Sequence, residues 1–388
     1  MSDSHSEDPQ RGAPDHVAAL EKAIFEVKRI VVGQEAVIER LLACLLAKGH
    51  CLLEGVPGLA KTLLAETLAT SVGGTFKRIQ FTPDLLPADV TGTRIYRAST
   101  EQFDVELGPI FANFVLTDEI NRAPAKVQSA LLEVMGERKV SIGGTTFPAP
   151  EPFLVMATQN PIESEGVYPL PEAQQDRFLM KILVQYPTPL EELEIVHRMG
   201  VMPPIPSQVL SAEELVELQK RTSAVYVDPA VVQYAVNLVV ATREPERYGL
   251  SAHAKHLTYG CSPRASLGLV AAARGLAVLR RRNYVLPQDI ADIAPDVMRH
   301  RLVLSYEALA DDVTADAIVG TLLRTVPAPY VAPSQHPSAP GQSAAHVSAG
   351  TPPPGANRAW TAPAAPAGYP WDTAPNSPPA TPPIDRPA

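Results

Sequence analysis

The stretch GVPGLAKT, residues 55–62, decides how this chain is read. It follows a short apolar run, HCLLE (50–54), and leads directly into KTLLAETLATSV (61–72). The first reads as a buried strand and the second as a helix, so the stretch occupies a strand-to-helix turn. A phosphate-binding loop, G-x-x-x-x-G-K-[ST], needs that context, because its backbone N–H groups and the dipole of the following helix cradle phosphate oxygens. Gly55, Lys61 and Thr62 fit the pattern, whereas Ala60 stands where the second glycine is expected. Alanine keeps the backbone N–H, and with helical φ and ψ the exchange is expected to cost little. In such a loop Lys61 lies against the β- and γ-phosphates and Thr62 offers its hydroxyl to Mg2+. Eight residues alone do not separate a working site from a chance string.

Outward from the loop, residues 16–187 alternate short apolar strands with helices, the pattern of a layered α/β sheet. Val17, Leu20, Ile24, Val27 and Val31 recur at helical spacing, and a second helix runs through Ile38, Leu41, Leu42, Leu45 and Leu46. Besides 50–54, strands are expected at 76–81, 113–117, 153–158 and 180–186. Two hairpins interrupt the layers, one over 93–107 and one over 139–147 that turns on Gly143-Gly144. From 188 to 326 the strand signals vanish. Helices are expected over AEELVELQKRT, PAVVQYAVNLVVATR, PRASLGLVAAARGLAVLRRR and PQDIADIAPDVMRHRL, the last three opening on proline. This is a separate, small helical domain.

From Pro327 to Ala388 the composition changes to Pro, Ala, Ser, Gly and Thr with 17 prolines, too little apolar surface to offset ordering entropy. Both tryptophans, Trp360 and Trp371, fall in this disordered Pro/Ala-rich tail. The acidic, polar residues 1–15 are also expected to be disordered, and they do not resemble a secretory signal. No apolar run approaches the roughly 20 residues that span a bilayer, so direct membrane insertion is not expected. The formal net charge of −9 removes nonspecific attraction to nucleic acid as a default. Cys44, Cys51 and Cys261 lack C-x-x-C spacing and sit among apolar or small residues. They read as buried, reduced thiols of a cytoplasmic protein.

FVLTDEINRA (114–123) carries Asp118 and Glu119 to the end of an apolar strand. With a phosphate loop present, Asp118 can hold Mg2+ and Glu119 can orient and polarise an attacking water. VMATQNP (155–161) puts Asn160 just beyond another strand, where an amide can fix that water. LPEAQQDRF (170–178) carries Arg177, a permanently charged fork suited to a transferring phosphoryl group. Arg264 stands at a helix N-terminus, where the dipole disfavours a cation, which hints at an anionic ligand.

Loop, acidic pair, Asn160, Arg177 and Arg264 occur in the order of the AAA+ ATPases. More narrowly, the chain resembles the MoxR family in VVGQEAVIERLL (31–42), LLEGVPGLAKT (52–62), DLLPADVTGT (84–93), residues 107–138, ATQNPIESEGVYPLPEAQQDRF (157–178) and SPRA (263–266). The resemblance covers about residues 16–326 and implies an AAA+ αβα core (16–187), an all-α lid (188–326) and the tail (327–388). It implies that Gly55, Val56, Pro57, Gly58, Leu59, Ala60, Lys61 and Thr62 cradle the phosphates of ATP. Thr62 and Asp118 then serve Mg2+, Glu119 is the catalytic base, Asn160 is sensor 1, Arg177 the arginine finger and Arg264 sensor 2. Val32, Gly33 and Gln34 match the segment beside the adenine, and Arg122 is a further sensor candidate.

The family forms rings, typically hexamers, in which one subunit's finger completes the next subunit's site. Where two such hairpins are inserted the lid is displaced, which leaves open whether Arg264 serves its own or a neighbour's nucleotide. Chaperone-like remodelling or activation of client proteins is implied, with a partner bearing a von Willebrand factor A domain. The alternative is a DNA-directed motor or transcription activator of a related clade. It would be expected to show a DNA-binding module, a GAFTGA loop or a basic surplus. A GTP-binding switch would carry N-K-x-D, which the sequence lacks.

Overall fold

The computed structural model describes residues 16–99, 101–162, 167–201 and 204–330, which belong to one compact unit. The expectations for residues 1–15, for the tail beyond Tyr330 and for its two tryptophans lie outside the described residues.

The elements of the first half are α1 (His16–Ile30), α2 (Glu35–Leu46), β1 (Cys51–Glu54), α3 (Lys61–Ser71), β2 (Phe76–Gln80) and α4 (Pro87–Thr91). There follow β3 (Gly92–Arg97), β4 (Gln102–Leu107), β5 (Phe114–Asp118), α5 (Ala125–Glu137), β6 (Lys139–Ile142), β7 (Thr145–Pro148), β8 (Leu154–Gln159) and β9 (Met180–Leu183). Five strands form one sheet in the order β2-β5-β8-β1-β9, every neighbouring pair parallel. Parallel sheets are covered on both faces, which is why β5 and β8 are nearly continuous apolar runs and almost wholly buried. Edge strand β2 exposes Lys77, Arg78 and Gln80, charged or polar groups that discourage pairing with a stray strand.

Side chains alternate across the sheet and divide the core in two. Cys51, Leu53, Phe114, Leu116, Leu154 and Met156 face one cluster, while Leu52, Val115, Val155 and Ala157 face the other. The second cluster lies under α4 and α5. The first runs without interruption from α2 into the helical segment, where it includes Leu269, Ala273 and Leu276 of the Pro263–Leu279 helix. Gln219 also donates Nε2 to the carbonyl of Leu45 in the last turn of α2 at 2.7 Å.

The two inserted hairpins pair as β3 with β4 and β6 with β7, the latter turning on Gly143 and Gly144, both at positive φ. The four expected lid helices form at Ala212–Ser223, Pro229–Ala241, Pro263–Leu279 and Pro287–Met298. Pro189–Val201 and Ala315–Thr325 are helical as well. A difference from the sequence reading is a small antiparallel pair, Leu257–Tyr259 with Val303–Leu304, in the stretch where strand signals vanish. Strands of two and three residues are too short to show alternation. The three cysteines are buried and free, as expected. Among the described residues no helix is long and apolar enough to cross a membrane.

Candidate active site

Because β1, β5 and β8 run parallel, their carboxyl ends meet on one rim, and the residues that follow them converge there. The rim holds a cleft of about 430 Å³ lined by residues 57–63, Arg78, Gln80, Asp118, Glu119, Thr158 and Asn160. Loop, acidic pair and amide, far apart in the chain, therefore share one cavity.

The loop enters α3 through Ala60 at φ 55 and ψ 24, with Gly58 at φ 85. This corrects the expectation of helical angles at residue 60. The chain must turn through the left-handed region to enter α3, which explains why glycine is usual there. A Cβ in that region costs roughly 1–2 kcal/mol. Lys61 folds onto its own loop, Nζ donating to the carbonyls of Gly55 at 2.5 Å and Val56 at 3.3 Å. Burial lowers its pKa, while the charges of Asp118 and Glu119 act in the opposite direction.

Asp118 ends β5 as a buried carboxylate. Thr158 Oγ1 donates to its Oδ1 at 3.1 Å and Arg78 Nε to its Oδ2 at 2.6 Å. Glu119 leaves the strand at φ 56, a left-handed conformation that costs a non-glycine residue free energy and recurs at functional sites. Its N–H donates to Thr158 Oγ1 at 2.9 Å. Gln80 Nε2 donates to its Oε2 at 3.0 Å, and Arg122 Nε lies 2.9 Å from the same oxygen. Asn160 is buried just beyond β8, with Oδ1 accepting from the N–H of Ile162 at 3.2 Å.

Arg78, Gln80 and Thr158 escaped the sequence reading. Arg78 and Gln80 alternate on β2, which the sequence shows, but the register of Gln80 with Asp118 exists only in the folded sheet. Nothing local marks Thr158.

Two of the predicted catalytic residues are elsewhere. Among the described residues, neither Arg177 nor Arg264 lines the cleft. Arg177 is exposed and donates Nη1 to the carbonyl of Leu132 at 2.6 Å. Arg264 Nη1 lies 3.6 Å from Asp176 Oδ2, so within this chain the anion facing that misplaced cation is a neighbouring carboxylate. Gly33, at φ 73, precedes Gln34, whose buried amide donates Nε2 to the carbonyl of Gln185 at 3.0 Å. That bond ties the segment before α2 to the chain leaving β9.

The arrangement suits a nucleoside triphosphate: a cationic, N–H-rich loop opposite a carboxylate pair and an amide. Thr62 and Asp118 bring hard oxygen donors to the same cleft, the donor chemistry of Mg2+, which takes few protein ligands and keeps its waters.

Comparison with known proteins agrees with this geometry. Residues 50–180 match the ATPase family associated with various cellular activities (AAA), and residues 250–322 match the AAA lid domain. The chain is 60% identical over 335 residues to Chaperone MoxR1 of Mycobacterium tuberculosis, covering 84% of this chain and 89% of that one. It is 32% identical over 327 residues to Protein MoxR of Methylorubrum extorquens, covering 78% and 93% respectively. A crystal structure of a candidate ATPase from Cytophaga hutchinsonii superposes with a TM-score of 0.77 at 47% identity, covering 81% of this chain and 96% of that one. With an AAA sheet, an AAA lid and relatives matched over most of their length, the chain belongs to the MoxR family of AAA+ ATPases.

Proposed function

We propose that this ATPase uses Mg2+-ATP to drive chaperone-like remodelling or activation of client proteins in the cytoplasm. In this reading it forms a ring, hexameric as is usual for the family, and works with a protein bearing a von Willebrand factor A domain. The observation that carries the enzymatic part is the gathering of Lys61, Thr62, Asp118, Glu119 and Asn160 in one cleft. The loop N–H groups and Lys61 bind the phosphates, and Thr62 and Asp118 would hold Mg2+. The metal's charge would offset that of the phosphate oxygens. Glu119 takes the proton of the attacking water, and Asn160 fixes that water in line. Gly33 and Gln34 border the adenine, and Arg122 steers the Glu119 carboxylate.

Neither Arg177 nor Arg264 lines the cleft of its own chain, which supports a role for Arg177 as a finger acting on the next subunit. Arg264 is the lid's phosphate sensor, in its own or the neighbouring site. The chaperone role is supported by the name of the relative from Mycobacterium tuberculosis.

The test is affinity capture with Glu119→Gln in ATP, compared with Lys61→Ala. Client and partner should be retained by the first variant and released by the second. Equal retention by both, or the absence of a von Willebrand factor A protein from the ATP-dependent fraction, overturns the client or the partner reading respectively.

A further inference from the structure

Asp176 immediately precedes Arg177, and three groups from the helical segment converge on its carboxylate. Arg301 Nε donates to Oδ1 at 2.8 Å, Ser262 Oγ donates to Oδ2 at 3.0 Å, and Arg264 Nη1 lies 3.6 Å from Oδ2. Arg301 is buried, 8% exposed, a costly place for a guanidinium unless its donors are satisfied. They are satisfied largely by one short segment. Nη2 donates to the carbonyls of Phe178 at 2.6 Å and Asp176 at 3.3 Å, and Nη1 donates to those of Leu179, at 3.1 Å, and Val297. His300 Nε2 adds a contact to the Phe178 carbonyl at 3.1 Å.

The simplest account is a fastening between helical segment and sheet. Two details go beyond it. The carbonyls bound by Arg301 belong to residues on both sides of Arg177, so the guanidinium holds the backbone that aims the finger. Ser262 also caps the helix that carries Arg264, its Oγ accepting from the Arg264 N–H at 3.2 Å. One carboxylate thus joins the finger backbone to the helix start bearing the lid arginine.

We propose that Asp176 and Arg301 are positioning residues that couple the lid to the arginine finger. A lid that shifts when Arg264 meets a phosphate then moves the finger offered to the adjacent subunit. This rests on the reading of Arg177 as a finger acting in trans.

The test uses the assembled full chain carrying Asp176→Asn, beside Arg177→Ala. ATP affinity should stay within about twofold of wild type and kcat should fall about 10- to 100-fold, the scale of a misplaced catalytic group. Mixing with Lys61→Ala subunits, which have intact fingers, should restore part of the activity once labelled subunits show exchange. A purely structural bond would lower the denaturation midpoint without that recovery in trans.

Wild-type kcat in Asp176→Asn beside an inactive Arg177→Ala overturns the coupling alone. So does a loss that mixing cannot restore while it restores Arg177→Ala. A fully active Arg177→Ala overturns the finger reading and the coupling with it. Should Asp176→Asn fail to fold, Ser262→Ala leaves the buried pair intact. It should show a two- to tenfold loss with the same recovery on mixing, and an unchanged kcat counts against the coupling.

Discussion

Arg78 and Asp118 form an ion pair across adjacent strands β2 and β5, Nε to Oδ2 at 2.6 Å, inside the cleft proposed to hold Mg2+. The carboxylate side chain is 10% exposed and the guanidinium 53%. A buried carboxylate without a counter-charge is costly, and Arg78 supplies one to the carboxylate that would hold Mg2+.

Removing that internal competitor should ease metal entry. Arg78→Met is expected to lower the Mg2+ concentration for half-maximal binding of a fluorescent ATP analogue by about fivefold. That corresponds to ~1 kcal/mol, the upper range for a partly exposed pair. A higher Mg2+ requirement would instead mean that Arg78 helps to bind the nucleotide.

Loop and acidic pair should fail in different ways. Lys61→Ala should lose ATP binding, since a charge-assisted phosphate contact contributes about 1.5–3 kcal/mol. Glu119→Gln should bind ATP normally and hydrolyse it about 10²- to 10⁴-fold more slowly. Calorimetric binding together with phosphate release separates the two, and equal binding loss in both variants contradicts the assigned roles.

Ala60 sits in a left-handed conformation that glycine adopts without penalty. Relief of the Cβ clash outweighs the extra freedom glycine gives the unfolded chain, so Ala60→Gly should stabilise the fold by about 0.5–1 kcal/mol. ATP binding should persist. Chemical denaturation showing a loss of stability would mean that the alanine methyl makes packing contacts worth more than the strain.

His50 is buried between β8 and α5, Nδ1 accepting from the N–H of Val155 at 3.0 Å and Nε2 lying 3.2 Å from the Met135 carbonyl. Burial, reinforced by the Arg138 charge and opposed by the Met135 bond, lowers its pKa from 6.5 to about 3. Buried His300 is shifted in the same direction. Between these values the unfolded chain binds the proton and the native one does not, so stability falls as pH drops below 6.5. Between pH 6.5 and 5 the loss from His50 should approach ~1.4 kcal/mol per pH unit. His50→Gln should flatten the slope, and a pH-independent denaturation midpoint over that window would refute the assignment.

Much of the site was legible because its parts are local. A strand that runs into a glycine-rich turn and a helix announces the loop, and apolar runs ending in Asp118-Glu119 and Asn160 announce strand ends. Less visible were the groups that hold those side chains. Thr158 touches both Asp118 and Glu119, yet nothing in its own neighbourhood of sequence distinguishes it. Arg78 and Gln80 acquire meaning only once β2 lies beside β5.

By itself the sequence determined the alternation of strands and helices, the family and the set of residues able to handle a triphosphate. These depend on spacing and residue chemistry, which the chain carries along its length. The tertiary structure decided the left-handed turn at Ala60, the core that α2 shares with the lid and the ion pair of Arg78 with Asp118. It also decided that Arg177 meets the Leu132 carbonyl and Arg264 the Asp176 carboxylate, both outside the cleft of their own chain. Which charges end up facing one another depends on strand order and packing between distant segments. No local periodicity encodes that.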